Sequence, residues 1–450
     1  MLTDLSGCET SLTSAAASAH WNDTIRGFLA HSAATPEALA ATRAAAPEFG
    51  QADAARGLFS LLLGRAELTE VAWDALARAE AHPGNRRERI YTDALRHWLS
   101  GRPSAAAEAL ETLLETWPED ALAMKLVQAI RFVLGQPCAM RASVEAVGHA
   151  YIGHAAEGYL EGCRAFTLEE TGDYSAAEAA GRRALDLAPD DAWGLHAVAH
   201  VYDMTARAAD GLAWLSTRDA AWVHCNNFRY HVWWHIALMH LDLGDAEAAL
   251  DLYDAEIRAD RTDDYRDISN AASLLARLEM EGHPVGTRWE ELAAIAERRS
   301  GDGCLVFADL HYMLSLMGDG RETAMRRMMA RMAATAAHGE CEMAAITNRP
   351  GLTAARGLEA YAEGRFASAF ANLRAARGHL QTIGGSHAQR DVFDRLTIEA
   401  ALRGGYLAAA EDILADRLLR RGGAEDGYTA RRRSLIADAR RDIRHDAAVR

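Results

Sequence analysis

Proline is scarce in this chain, with 9 among 450 residues, and runs rich in Val, Ile or Thr are few. Proline breaks helix interiors and β-branched residues favour strands, so this scarcity argues for helices throughout. Basic charge is short as well: the formal net charge is −16. Phosphate binding needs a basic surface, so the balance argues against a nucleic-acid partner; the acidity serves solubility instead. The six cysteines (Cys8, Cys138, Cys163, Cys225, Cys304 and Cys341) are scattered, and no two have the Cys-x-x-Cys spacing of a zinc or redox site. They read as reduced thiols, which predicts a cytoplasmic protein. The N-terminal MLTDLSGCETS lacks the basic region and apolar core of a secretory signal. No apolar run approaches the roughly 20 residues that span a bilayer, so no membrane partner is expected. Phosphate loops are missing too: LSGRPS and LGQPC lack the Lys-Ser/Thr ending, which leaves nucleotide hydrolysis without support.

What is present is helical and periodic. Half the residues are hydrophobic, Ala supplying much of that share, and 450 residues exceed one ordinary globule, so several domains or a repeat array is expected. Turn residues recur behind apolar helical patterns at Gly101, Gly135, Gly172, Gly244, Gly282, Gly318, Gly364 and Gly404. A double interval between Gly172 and Gly244 has Ala206 near its midpoint. A recurrence of about 34 to 40 residues in helix–turn–helix units is the mark of a helical solenoid. The clearest unit is GDYSAAEAAGRRALDLAPDD, in which Ala177, Ala180 and Ala184 keep two helices close and Pro189 ends the unit. Ala107, Leu110, Leu114 and Pro118 repeat the scheme earlier; Ala249 with Tyr253, and Phe366, Ala369 and Leu373, repeat it later. The predicted fold is an all-α, tetratricopeptide-type right-handed superhelix of about eight to ten helix pairs over residues 21–415. A poorly ordered segment precedes it over residues 1–20. An Arg-rich capping helix follows over residues 416–450, where Leu435, Ile436, Ala439 and Ile443 have helical spacing.

The phrases NRRERIYTDAL, DDAWGLHAVAHVYDM, YHVWWHIAL, GDAEAALDLYD, RWEELAAIAERR, FADLHYMLSL and GGSHAQRDVFDRL carry a further likeness. Through them the chain resembles the family of tetratricopeptide repeat protein 38, over about residues 20 to 415. The resemblance implies an all-α repeat fold and a soluble protein; it implies no activity and supplies no catalytic residues.

The chemistry concentrates between Ala192 and Leu243. HAVAH places His196 and His200 four apart, and HVWWH places His231 and His235 four apart. In a helix such residues sit one turn apart on one face, so two neighbouring helices can aim four imidazoles at one place. Phasing each unit from its turn residue puts His196, His200, Asp203, His231 and Trp234 on the concave side, with His235 beside them. Phe166, Glu169, Glu170 and Tyr312 join them there. Three readings compete. In the first, the histidines are structural, each satisfying a buried group. In the second, the groove holds a small molecule or a peptide. In the third, His196, His200, His231 and His235 bind a divalent transition metal with Glu169, Glu170 or Asp203 completing the shell, which would suit hydrolysis or oxidation. An enzyme would draw its acid–base groups from His200, His235 and Glu170. GGSHAQRDVF reads as a helix stop at Gly384-Gly385 and a capping box between Ser386 and Gln389; Arg390 then forms a structural ion pair or reaches an anionic ligand. Cys225 has no basic partner that the sequence can fix, which argues against a nucleophile. Homo-oligomers are a further partner class, although no face is apolar enough to argue for one.

Overall fold

The computed structural model describes residues 2–449, with side chains through residue 442. Apart from a two-stranded antiparallel hairpin, Leu2–Thr3 against Glu9–Thr10, its regular structure is helical. Eleven successive helix–turn–helix pairs run from Ala15–Leu29 with Thr35–Ala45 to His387–Arg403 with Leu407–Arg420, and Gly427–Val449 closes the chain. No helix among the described residues is long and apolar enough to cross a membrane.

The pairs form for the reasons the pattern suggests. In the Tyr174–Leu187 helix the buried positions are the small residues Ala177, Ala180, Gly181 and Ala184, which let it lie close on Glu157–Glu170. The turns at His31 and Ala206 adopt left-handed φ of 56° and 53°, the conformation that glycine supplies at the other turns within pairs. At the Val306–Gly318 helix the left-handed residue is Gly320, not Gly318. Gly318 is still helical and lacks a Cβ because Trp289 packs there, 2.2 Å from where one would stand. Moving the turn by two residues rotates the face assignment by about 200°, which undoes the phasing that put Tyr312 on the concave side.

The inner helices are buried on nearly every face. Ala192–Met204, Tyr265–Met280, Val306–Gly318 and His387–Arg403 keep few exposed positions. A helix buried all round lies inside a large body rather than along an open groove. The chain achieves this by closing on itself. His387–Arg403 contacts both Ala192–Met204 and Tyr265–Met280. Asn226 donates to the His31 carbonyl at 2.9 Å, Arg65 pairs with Asp263, and Glu342 donates to the Gly101 carbonyl at 3.0 Å.

Both expected ends differ from the structure. The first 20 residues are packed: Arg87 donates to Asp4 at 2.8 Å and to Asp120 at 2.6 Å, all three nearly out of water, and holds the hairpin down. At the other end, the 415/416 boundary falls inside Leu407–Arg420. The Arg-rich segment is no purely solvated cap. Arg417 is buried between Asp391 and Asp426, and Arg432 is buried against Glu399. In the closing helix Ile436 is buried and Leu435 is half exposed; the side chain of Ile443 lies outside the described residues.

Candidate functional site: a histidine tetrad beside a cavity

Asp191 caps the Ala192–Met204 helix by accepting from the Gly194 N–H at 3.0 Å. That start sets the register which turns His196 and His200 inward. Phe228–Asp242 turns His231 and His235 toward them. The four rings meet through their Nε2 atoms: His200 to His196 at 2.7 Å, His196 to His231 at 2.8 Å, and His231 to His235 at 3.2 Å. All four side chains are buried. Burial holds every ring neutral: it pulls His231 down to about 4 and the other three well below the usual imidazole range.

Behind the tetrad lie two kinds of support. Phe166 stacks on His196 at 5.7 Å and meets His200 edge-on at 5.6 Å; Trp234 stacks on His231 at 5.2 Å. Glu169, with no exposure, brings one carboxylate oxygen to 3.6 Å from His200 Nδ1. Burial, then the nearby Glu170 and Asp203, pushes its carboxyl well above the ordinary range. Neither Glu169 oxygen has a hydrogen bond among the described residues.

Beside the tetrad is a cavity of about 470 Å³. Its wall is built from three remote parts of the chain: residues 27–63, 125–231 and 265–389. The wall is mostly apolar, with Phe28, Phe59, Trp193, Phe228 and Phe307 supplying aromatic surface. Polar groups converge at a few points, among them Lys125, His31, Asp267, Asn270 and Gln389. Lys125 is the single lysine of the sequence. It is 5% exposed, lies 4.9 Å from the Trp193 ring centre and 3.8 Å from Cys163 Sγ, and has no carboxylate within 4.0 Å among the described residues. Burial, followed by the nearby Asp264 charge, raises Asp267 to about 7.

No family model matches the chain.

The structure sorts the residues anticipated from sequence. His196, His200, His231 and His235 do converge, and Glu169 and Phe166 back them. Only His196 and His231 also line the cavity. Trp234, expected on the concave side, is fully buried between inner helices. The first helix of the next pair, Tyr265–Met280, packs over that face, with Arg277 above the Trp234 ring. Tyr312 is buried away from the cavity. Asp203 faces Arg421 at 3.5 Å. Glu170 belongs to a structural clamp: it accepts from Arg390 at 3.1 Å and from the His387 N–H at 2.6 Å. Arg390 is thus spent on an ion pair. The capping box of Ser386 and Gln389 is present. Cys225 is buried, which raises its thiol to about 12, so it is no nucleophile. Sequence reasoning missed Lys125, Trp193, Asn270 and His31. A signal existed for the first: one lysine in a chain whose other long-chain cations are all arginine.

Proposed function

We propose that the chain binds a small organic anion with an apolar body in the cavity beside the histidine tetrad. The observation that carries this reading is Lys125. A buried ammonium with no carboxylate within 4.0 Å is costly unless something neutralises it, and Lys125, which feels Asp191 only at longer range, stands in the wall of a mostly apolar chamber that Arg43, Arg56 and Arg266 also line. A carboxylate or similar anion placed there supplies the missing charge while its body covers the aromatic wall. About 470 Å³ falls within the usual size of metabolite pockets. A wall drawn from three distant segments around about 470 Å³ suits a compact molecule better than an extended peptide. The scaffold belongs to the same proposal: repeated helix pairs with left-handed turn residues support a tetratricopeptide-type superhelix, related to the tetratricopeptide repeat protein 38 family through the phrases quoted above. Six free thiols support a cytoplasmic setting.

The test is calorimetric titration of the full chain with phenylalkanoic and medium-chain alkanoic acids, and with the matching amides. The acids bind one to one and the amides do not, and Lys125→Met abolishes acid binding while the melting temperature holds. Equal binding of acids and amides, or full binding by the variant, refutes the reading.

A further inference from the structure

The four Nε2 atoms of the tetrad face a bonding problem that the protein does not solve by itself. A neutral imidazole carries one N–H and one lone pair, each directed in the ring plane. Three Nε2-to-Nε2 contacts link the four atoms in a chain, so Nε2 of His196 and of His231 each faces two partners. A single in-plane proton or lone pair serves one of them well. Alternating tautomers would make every contact donor to acceptor, but the shared Nε2 of His196 and of His231 would then aim its one in-plane proton or lone pair at only one of two partners. Moving protons to Nε2 does not help, because Nδ1 of His196, His200 and His235 then becomes a lone pair without a donor; none of these three atoms has a hydrogen-bond partner among the described residues.

A cation at the centre removes the conflict. All four Nε2 lone pairs point at it, and each N–H moves to Nδ1 and faces outward. There His200 Nδ1 meets the Glu169 carboxylate at 3.6 Å. A carboxylate behind a ligating histidine is the usual way a protein orients that ring and strengthens its nitrogen as a donor. It also gives Glu169 a reason to be buried with no partner of its own.

We propose that His196, His200, His231 and His235 bind one divalent first-row transition-metal ion through their Nε2 atoms, with Glu169 positioning His200. The donor set decides the class of ion. Four imidazoles and no carboxylate in the inner shell suit zinc, copper, nickel or cobalt, and disfavour calcium and magnesium, which take oxygen ligands. The spacing agrees. Metal–nitrogen bonds of about 2.1 Å put neighbouring nitrogens about 3.0 Å apart at right angles and about 3.4 Å apart in a tetrahedron. The observed contacts run from 2.7 to 3.2 Å, and all four atoms lie within 4.8 Å of one another. This site stands independently of the anion proposed for the cavity. The two meet only in that His196 and His231 border both, which would let a cavity ligand approach the ion from that side.

The test uses the full chain stripped with a chelator and titrated with Co2+. The expected result is a visible d–d absorption that saturates at one equivalent and is displaced by Zn2+. X-ray absorption of the Zn2+-loaded wild type should show a shell of imidazole nitrogens. Glu169→Gln should weaken Co2+ binding by about 10- to 100-fold and shift the d–d bands; His200→Ala and His235→Ala should weaken it further. His149→Ala, at an exposed position, should change nothing. The proposal is overturned if no saturable absorption appears, if the bound zinc shows no imidazole shell, or if the His200 and His235 variants bind like wild type. Should those variants lose their helical circular dichroism, the wild-type absorption edge decides alone. Lys125→Met separates the two proposals: it leaves metal stoichiometry at one whether or not organic acids bind.

Discussion

Replacing Arg390 by Met tests whether the GGSHAQRDVF segment is a structural clamp. Arg390 is 9% exposed and its partner Glu170 is 6% exposed. One guanidinium nitrogen reaches Glu170 at 3.1 Å, while the other donates to the carbonyls of Gly384 and Gly385. At an effective dielectric near 20, unit charges about 3 Å apart attract by roughly 5 kcal/mol, most of it offset by desolvation of both groups. Removing only the cation strands a buried carboxylate, which typically costs about 3–5 kcal/mol. Glu170→Gln should cost less, about 1–3 kcal/mol, because the arginine keeps its two carbonyl acceptors. The double variant should recover part of the loss, with a coupling energy on the order of 2 kcal/mol. Urea unfolding followed by circular dichroism measures all four corners of the cycle, and urea avoids screening the pair with salt. A loss under about 1 kcal/mol for Arg390→Met, or no coupling to Glu170, would show that the arginine is held for another purpose, such as an anionic ligand.

Arg87→Met removes the cation that ties Asp4 to Asp120 and should cost about 3–5 kcal/mol. Limited proteolysis should then cut within the first 20 residues, and uncut protein would contradict the strap. Asp4→Asn should be milder, since burial already raises that carboxyl to about 6. Asp191 is pushed up to about 7, chiefly by burial. Its folded pKa lies above its unfolded value, so its contribution is complete below about pH 4 and is lost as pH rises through 7. Asp191→Asn should therefore gain stability relative to wild type between pH 5 and pH 8, by up to roughly 4 kcal/mol from the shift; a pH-independent difference in urea midpoints rules this out. Gly385→Ala combines a left-handed φ of 77° with a Cβ 2.3 Å from the Phe307 ring. It should lower the melting temperature and weaken any cavity ligand together, and a variant as stable as wild type would refute the packing at that wall.

Local order was legible because it is written in local spacing. The paired helices follow from the recurring turn residues, the capping box from Ser386 and Gln389, and the tetrad from two i, i+4 histidine pairs on consecutive units. What spacing could not locate was where the chain closes, which depends on contacts far apart in sequence. His31 stacks on Trp193 at 5.3 Å, and Arg65 pairs with Asp263; nothing in either neighbourhood announces the other. Trp234 is buried where a ligand contact was expected because the first helix of the next pair, Tyr265–Met280, packs over it. Tyr312 failed for a smaller reason, a turn placed at Gly318 instead of Gly320. The cavity was invisible for the same cause as the closure, since its wall is shared among three remote segments.

The claim on which the account most depends is that Lys125 neutralises a ligand in the cavity, and its singularity makes that directly measurable. Full-length protein labelled with 13C and 15N in lysine alone gives one ε-methylene resonance, that of Lys125. The account predicts that this resonance moves on titration with a phenylalkanoic acid, saturates at one equivalent, and stays still with the matching amide. A resonance indifferent to every acid, or one that moves equally with acid and amide, would contradict it.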